Sequence, residues 1–262
     1  MFDIKILTRL TRIRDYSFQL ILIFLLILLI SPQNLFSYKT VIVFLANLFL
    51  TAFGFAFNDV EDAKDDYHVL EKRKRNPISN GDLTKTQGYL ITFLLLLIGL
   101  FLLLIISPLV FLLGLVLVFI GFFYSWKPVR FKSMPIIDLI SHVIGLGVLQ
   151  FFIIYLTFRP FDLFITPFLM IIIPFSFMTE IFGELKDFNV DKKTNIKNTI
   201  QKLGNLNIKG LLIILSVVVI TGFIIIFFTI PLEYNIIILS GSIFLGIITL
   251  LRLNKFLKSY CS

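Results

Sequence analysis

Two rows of carboxylates in this chain are built on one template. Asn58-Asp59-Val60-Glu61-Asp62-Ala63-Lys64-Asp65-Asp66 carries acids at 59, 62 and 66, and Gly183-Glu184-Leu185-Lys186-Asp187-Phe188-Asn189-Val190-Asp191 carries them at 184, 187 and 191. Each acid of the first row thus recurs 125 residues later (59 and 184, 62 and 187, 66 and 191). On a helix, positions i, i+3 and i+7 lie along one face. Acids in a loop ordinarily do no more than solvate a helix end. Like charges at this spacing repel unless a cation neutralises them, and two matched copies ask for more than solvation. Mg²⁺ suits them, because it takes oxygen ligands and keeps coordination positions open to phosphate. The chemistry implied is metal-assisted binding of a strongly anionic group such as a diphosphate.

Six carboxylates and a diphosphate carry more negative charge than two Mg²⁺ ions neutralise, so such a site also needs Lys or Arg. Lys186 and Lys192 stand beside the second row, Lys72-Arg73-Lys74-Arg75 follow the first, and Tyr124-Ser125-Trp126-Lys127-Pro128-Val129-Arg130-Phe131-Lys132 forms a short basic loop between the halves. Arg130 and Lys132 are the expected diphosphate contacts, because a short loop restricts where they point. Asn58, Tyr124 and Lys186 complete that set, and Lys72 to Arg75 are expected to face lipid. Ionisable groups near a membrane are costly, which makes each a candidate for function. Glu180 lies one turn before Glu184 on the same face, and Asp138 and His142 lie one turn apart. The expected catalytic residues are Asp59, Asp62, Asp187 and Glu180, and the expected metal ligands are Asp59, Asp62, Asp66, Glu184, Asp187 and Asp191. Phe55 and Phe177 fall on the faces of the rows, where an aromatic ring can stabilise a cation or simply pack.

The elements that must carry these rows are membrane spans. Of the 262 residues 58% are hydrophobic, and the mean hydropathy is +0.96. A soluble domain of this size cannot hide so much apolar surface, so the bilayer is the solvent. Eight apolar stretches are long enough to cross, roughly 17–36, 39–57, 88–106, 108–126, 135–156, 164–182, 208–229 and 235–251. Continuous apolar runs argue for helices over barrel strands. With these spans, 22 of the 24 Lys and Arg residues fall on one side, leaving Lys39 and Arg159 on the other. The positive-inside rule then places both termini and both acid rows in the cytoplasm. The first apolar run lacks a small-residue cleavage site and is read as a retained helix, preceded by a short amphipathic helix around Leu7 to Arg12. Cys261 is the single cysteine, so no internal disulfide forms. The net charge of +8 is spread over membrane loops, which suits anionic lipid and excludes nucleic acid as a partner. Each row follows the second helix of a four-helix set. A single membrane domain over 1–262 is expected, with similar halves of about 1–126 and 127–262 whose rows face a central cavity.

The motifs resemble those of the intramembrane prenyltransferases of the UbiA superfamily. Asn58-Asp59-x-x-Asp62-x-x-x-Asp66 is similar to that family's first motif throughout. Asn76-Pro77-Ile78-Ser79-Asn80-Gly81 resembles its following loop, usually Arg-Pro-(Leu/Ile)-x-x-Gly, and departs from it at Asn76. Tyr124-Ser125 with Arg130-x-Lys132 resembles the inner-loop signature, and Asp187-x-x-x-Asp191 with Thr199 the second motif region. The resemblance runs from about residue 9 to 204. Glu184 stands where Asp is commoner, and Asn195 replaces a usual Gly. Eight spans are visible where members of the family have nine.

The resemblance implies an all-helical ring and an Mg²⁺-bound polyprenyl diphosphate whose allylic C–O bond ionises. It also implies attack on the carbocation by a lipophilic acceptor in the membrane, with no obligatory protein partner. Carotenoids, chlorophyllides, glycerolipids and quinone precursors are all open as acceptor. The competing class is a divalent-cation transporter or channel, which would place acids near the bilayer midplane along a path open to both sides. Here the acids collect at one rim.

Overall fold

The computed structural model describes residues 3–193, 199–202 and 205–229. Among them every regular element is helical, and seven helices are long and apolar enough to cross a membrane. The expected span over 235–251 lies outside the described residues.

Local chemistry sets the helix limits. α1 (Ile4–Thr11) begins at Asp3, whose side chain accepts from the Lys5 amide, and ends where Arg12 turns to a left-handed φ of 52°. α2 (Ile13–Ile30) stops at Ser31 because Pro32 follows, and a residue before proline is pushed out of the helical region. The first span therefore runs earlier than the expected 17–36. α3 (Tyr38–Asp66) starts at the Ser37 cap and continues without a break beyond the apolar stretch and through the first acid row. α4 (Leu70–Arg75) is short and basic. α5 (Lys85–Ile106) opens with a reciprocal capping box between Thr84 and Gln87, and α6 (Pro108–Ser125) opens with a Ser107 cap and proline at its first position. Span five contains α7 (Ile137–His142), a π-helical stretch over Val143–Leu149 and α8 (Gln150–Phe158). α9 (Thr166–Lys193) carries the second row at its end, followed by α10 (Thr199–Lys202) and α11 (Asn205–Thr229).

The chain forms two compact units. The first comprises the described residues up to 132 and residues 149–160, with a core of Tyr16, Leu20, Ile23 and Ile27 of α2 against Val43, Ala46 and Leu50 of α3, Leu103 of α5 and Ile153 of α8. α5 lies close along α3: a Cβ at Gly99 would sit 2.6 Å from Leu50 Cδ2 and 2.7 Å from its Cγ. Gly99→Ile is expected to destabilise the unit by about 1–3 kcal/mol, the usual cost of overpacking. The readout is a lower thermal midpoint in detergent, and an unchanged midpoint would show that α5 can simply move away. The second unit takes residues 133–148 and the described residues from Phe161 onward. Its core joins Leu139, Met178, Ile181, Leu185, Ile200, Ile208 and Leu212.

Outside these cores the helices present large apolar side chains to their surroundings. Leu90, Phe93, Leu97, Phe101 and Leu104 along α5 are all exposed. Water would penalise such a face, whereas lipid tails solvate it.

Candidate active site

In the first unit α3 delivers Asn58, Asp59, Glu61, Asp62, Asp65 and Asp66 to its polar end, and most of these acids are buried. The helix tolerates the acids because neighbouring loops supply partners. Asp62 Oδ1 accepts a hydrogen bond from Arg130 at 2.9 Å, and its Oδ2 accepts from the Lys132 ammonium. Lys132 also donates to Asn58 Oδ1 at 2.7 Å, and Ser125 Oγ donates to the same oxygen at 3.1 Å. The sequence-predicted group of Asn58, Asp62, Arg130 and Lys132 is thus one connected cluster. A tight turn makes it so: the Arg130 amide donates to the Trp126 carbonyl at 2.7 Å, and Arg130 takes a φ of 51°, uncommon without glycine. Burial lowers the pKa of Lys132 below the ordinary lysine value, against the opposing pull of Asp62. Tyr124 lies in the last turn of α6, half-buried, one residue before Ser125.

Asp59 differs from the rest of its row. It is 0% exposed, and neither carboxylate oxygen has a hydrogen-bond partner. The nearest cation is Arg12, 3.8 Å from Oδ1 and 4.7 Å above the Phe55 ring. Phe55 in turn stacks on Tyr16 at 5.2 Å, so this ring is packed between α2 and Arg12. Asp66 Oδ2 accepts from Asn76 at 2.9 Å.

Sequence reasoning missed several participants. Glu61 accepts from the Tyr89 hydroxyl and from the Lys127 amide at 3.2 Å. Asp65 takes Arg130 at 2.9 Å and Lys127 at 3.4 Å. Glu61 and Asp65 are four apart and form their own row beside the main one, a signal present in the same nine residues. Arg9 straps α1 to the loop after the row, donating to Asp82 at 2.7 Å and to the Lys74 and Arg75 carbonyls at 2.7 and 3.3 Å. Hydrogen bonds from Asn80 and Arg9 hold the Asp82 carboxyl below the usual carboxylate range. The basic stretch after the row does not simply face lipid: Arg73 covers the Tyr67 ring at 4.2 Å, and the carbonyls of Lys74 and Arg75 hold Arg9.

The second unit gathers a separate polar cluster. His142 Nδ1 and Glu180 Oε2 are 2.8 Å apart. Asp138 is buried and accepts from the Thr199 amide at 2.7 Å and from the Thr199 hydroxyl. Glu184 Oε2 accepts from the Ile200 amide at 3.1 Å. Asp138 and Glu184 therefore cap the start of α10 and hold it to α7 and α9. Phe177 packs against the core of this unit. Lys186, Asp187 and Asp191 continue the helix of Glu184 at the expected register, but their side chains lie outside the described residues.

Seven apolar helices among the described residues, with acids and bases interleaved at the polar end of one of them, are those of a multi-pass membrane protein. Comparison with known protein families matches residues 20–260 to the UbiA prenyltransferase family. The chain belongs to this family of prenyl-transferring enzymes. Among solved structures, it is similar to a UbiA homologue from Archaeoglobus fulgidus bound to GPP and Mg²⁺, with 22% identity over 94% of this chain and 86% of that one and a TM-score of 0.75. The apo UbiA homologue from Aeropyrum pernix K1 aligns over 99% of this chain and 92% of that one, with 13% identity and a TM-score of 0.72. A digeranylgeranylglyceryl phosphate synthase structure aligns over 95% and 87%, with 20% identity and a TM-score of 0.67. These likenesses establish the fold. No curated protein gave a significant match.

Proposed function

We propose that the protein transfers a prenyl group from a polyprenyl diphosphate to a hydrophobic acceptor in the membrane, with Mg²⁺ at the acid rows. The observation that carries this reading is Asp59, whose two carboxylate oxygens are buried and have no hydrogen-bond partner, with Arg12 3.8 Å away as the nearest ion-pair contact. Buried polar atoms are ordinarily satisfied, and two hard oxygens in this state suit a hard cation. Among the described residues no three acidic, His or Cys groups form a ready-made metal cage. Mg²⁺ bound by carboxylates completes its shell with water and phosphate oxygens.

In this reading Asp59, Asp62 and Asp66 hold the metal together with Glu184, Asp187 and Asp191. Bound there, Mg²⁺ would offset the charge that develops on the departing diphosphate. Asn58, Tyr124, Arg130, Lys132 and Lys186 hold the diphosphate oxygens. The allylic C–O bond breaks with its electron pair going to diphosphate, the acceptor attacks the carbocation, and Glu180, bonded to His142, or Asp138 takes the proton released. Asp59, Asp62, Asp187 and Glu180 are the catalytic group. The two halves, about 1–126 and 127–262, act as one domain, with both termini and both rows on the cytoplasmic side of the cell membrane. The homologues solved with GPP or DMAPP and Mg²⁺ support the donor class. The inner-loop motif and the likeness to the glyceryl phosphate synthase support a lipophilic acceptor such as a glycerolipid, carotenoid, chlorophyllide or quinone precursor.

The test is release of pyrophosphate from geranylgeranyl diphosphate by the detergent-purified protein, supplied with extracts of membrane lipids. Release is expected to stop on chelation with EDTA and to return on adding Mg²⁺. A protein that releases no pyrophosphate but carries divalent cations into sealed vesicles would instead be a transporter.

A further inference from the structure

Asn76 ends α4 and is 0% exposed. Its Nδ2 donates to Asp66 Oδ2 at 2.9 Å and to the main-chain carbonyl of Asp59 at 2.7 Å. Its Oδ1 accepts from the Ile78 amide at 3.0 Å and the Ser79 amide at 3.4 Å. An amide has two N–H donors and two acceptor lone pairs, so this side chain uses its whole capacity. Its two donations reach the first and last acids of the row, two turns of α3 apart. The two acceptances close the turn that starts the following loop, and Ser79 Oγ adds a clamp to the Ala63 carbonyl at 2.7 Å.

The contrast with Asp62 is informative. That carboxylate is held by two cations, which compete with any metal for it. Asp66 is held by a neutral donor through one oxygen, which fixes its orientation without neutralising its charge. Other side chains fail at this position for stated reasons. Aspartate would set acceptor against acceptor, glutamine is one methylene too long, and serine is too short to reach Asp66.

We propose that Asn76 is a positioning residue that holds Asp66, and the helix turn carrying Asp59, in the geometry that takes the metal. The proposal rests on the metal-diphosphate reading above. Partners that orient a ligand from outside the coordination shell are typically worth about 10–100-fold in metal affinity.

The test is Mn²⁺ binding, followed by electron paramagnetic resonance on the full-length protein in detergent with inorganic pyrophosphate present. Asn76→Ser keeps an acceptor for the turn but loses both donations, and its Mn²⁺ dissociation constant is expected to rise about tenfold or more. Asn76→Ala is run beside it as a second variant. Ser79→Ala removes the neighbouring clamp but not the Asp66 bond, and is expected to lower the thermal midpoint with Mn²⁺ affinity within about twofold of wild type. In an Asp66→Ala background, Asn76→Ser is expected to cost less than it does in the wild type, because only the hold on the Asp59 turn is left for it to act through. Wild-type Mn²⁺ affinity in Asn76→Ser, or an equal loss in the Asp66→Ala background, would overturn the proposal and leave the functional reading standing. So would failure of both Asn76 variants to fold while Ser79→Ala is intact, since the residue would then be scaffold. Absence of Mn²⁺ binding in the wild type under these conditions would overturn both.

Discussion

Asp62→Asn is expected to lower prenyl turnover about a thousandfold, the scale seen when a group that stabilises transition-state charge is removed. Asp62 is the most connected acid of the first row, with one oxygen on Arg130 and the other on Lys132. The amide keeps the shape but loses the charge that a metal needs. Removing one partner of a buried ion pair can also unfold a protein, so thermal stability must be read in parallel. Here the cations retain other anchors: Arg130 still has Asp65 and Lys132 still has Asn58. Turnover is therefore expected to collapse in a protein that remains folded. Asp187→Asn should fall to a similar level, and the double variant should be little worse than either single, as for residues that act as one unit. Wild-type turnover in a folded Asp62→Asn protein would remove the first row from the chemistry.

Lys132→Met is expected to have two effects of opposite sign. Turnover should drop about a hundredfold, because a diphosphate contact made in the transition state is lost. Mn²⁺ alone, without pyrophosphate, should bind more tightly. Lys132 and Arg130 occupy Asp62 in the structure, so a metal arriving without the anion must compete with them. Lys132→Met removes one of the two cations that compete with the metal, so Mn²⁺ is expected to bind about tenfold more tightly. Diphosphate would draw these cations off Asp62 and free it for the metal. Loss of both turnover and Mn²⁺ binding in Lys132→Met would mean that the lysine serves chiefly to support the site.

Much of this could be read along the chain. Hydropathy alone marks the spans, because each must satisfy its own backbone over about 20 residues. The row at 59, 62 and 66 declares its helix, and the structure continues α3 through Asp66 without a break. Arg130 and Lys132 fall beside the first row because so short a loop has few ways to point, and the structure sets both on Asp62. The expected first span of 17–36 overran the end of α2 at Ile30, because the apolar run continues past Pro32.

Features that depend on neighbours within a few turns could be read directly: spans, the helical rows and the clustering of bases. The tertiary structure alone decided who partners whom. Arg12 beside Asp59, Arg9 on Asp82, Tyr89 on Glu61, Asn76 on Asp66 and Thr199 on Asp138 join residues 10 to 73 positions apart. No periodicity encodes such pairs, because they depend on where loops return the chain after each crossing. Asn76 shows the limit best. In the sequence it is a departure from an expected arginine, while in the fold it is a buried amide that satisfies an acid, a carbonyl and two turn amides at once. Local patterns repeat with the helix, whereas a side chain's partner is set by packing between distant segments, and only the folded chain computes that.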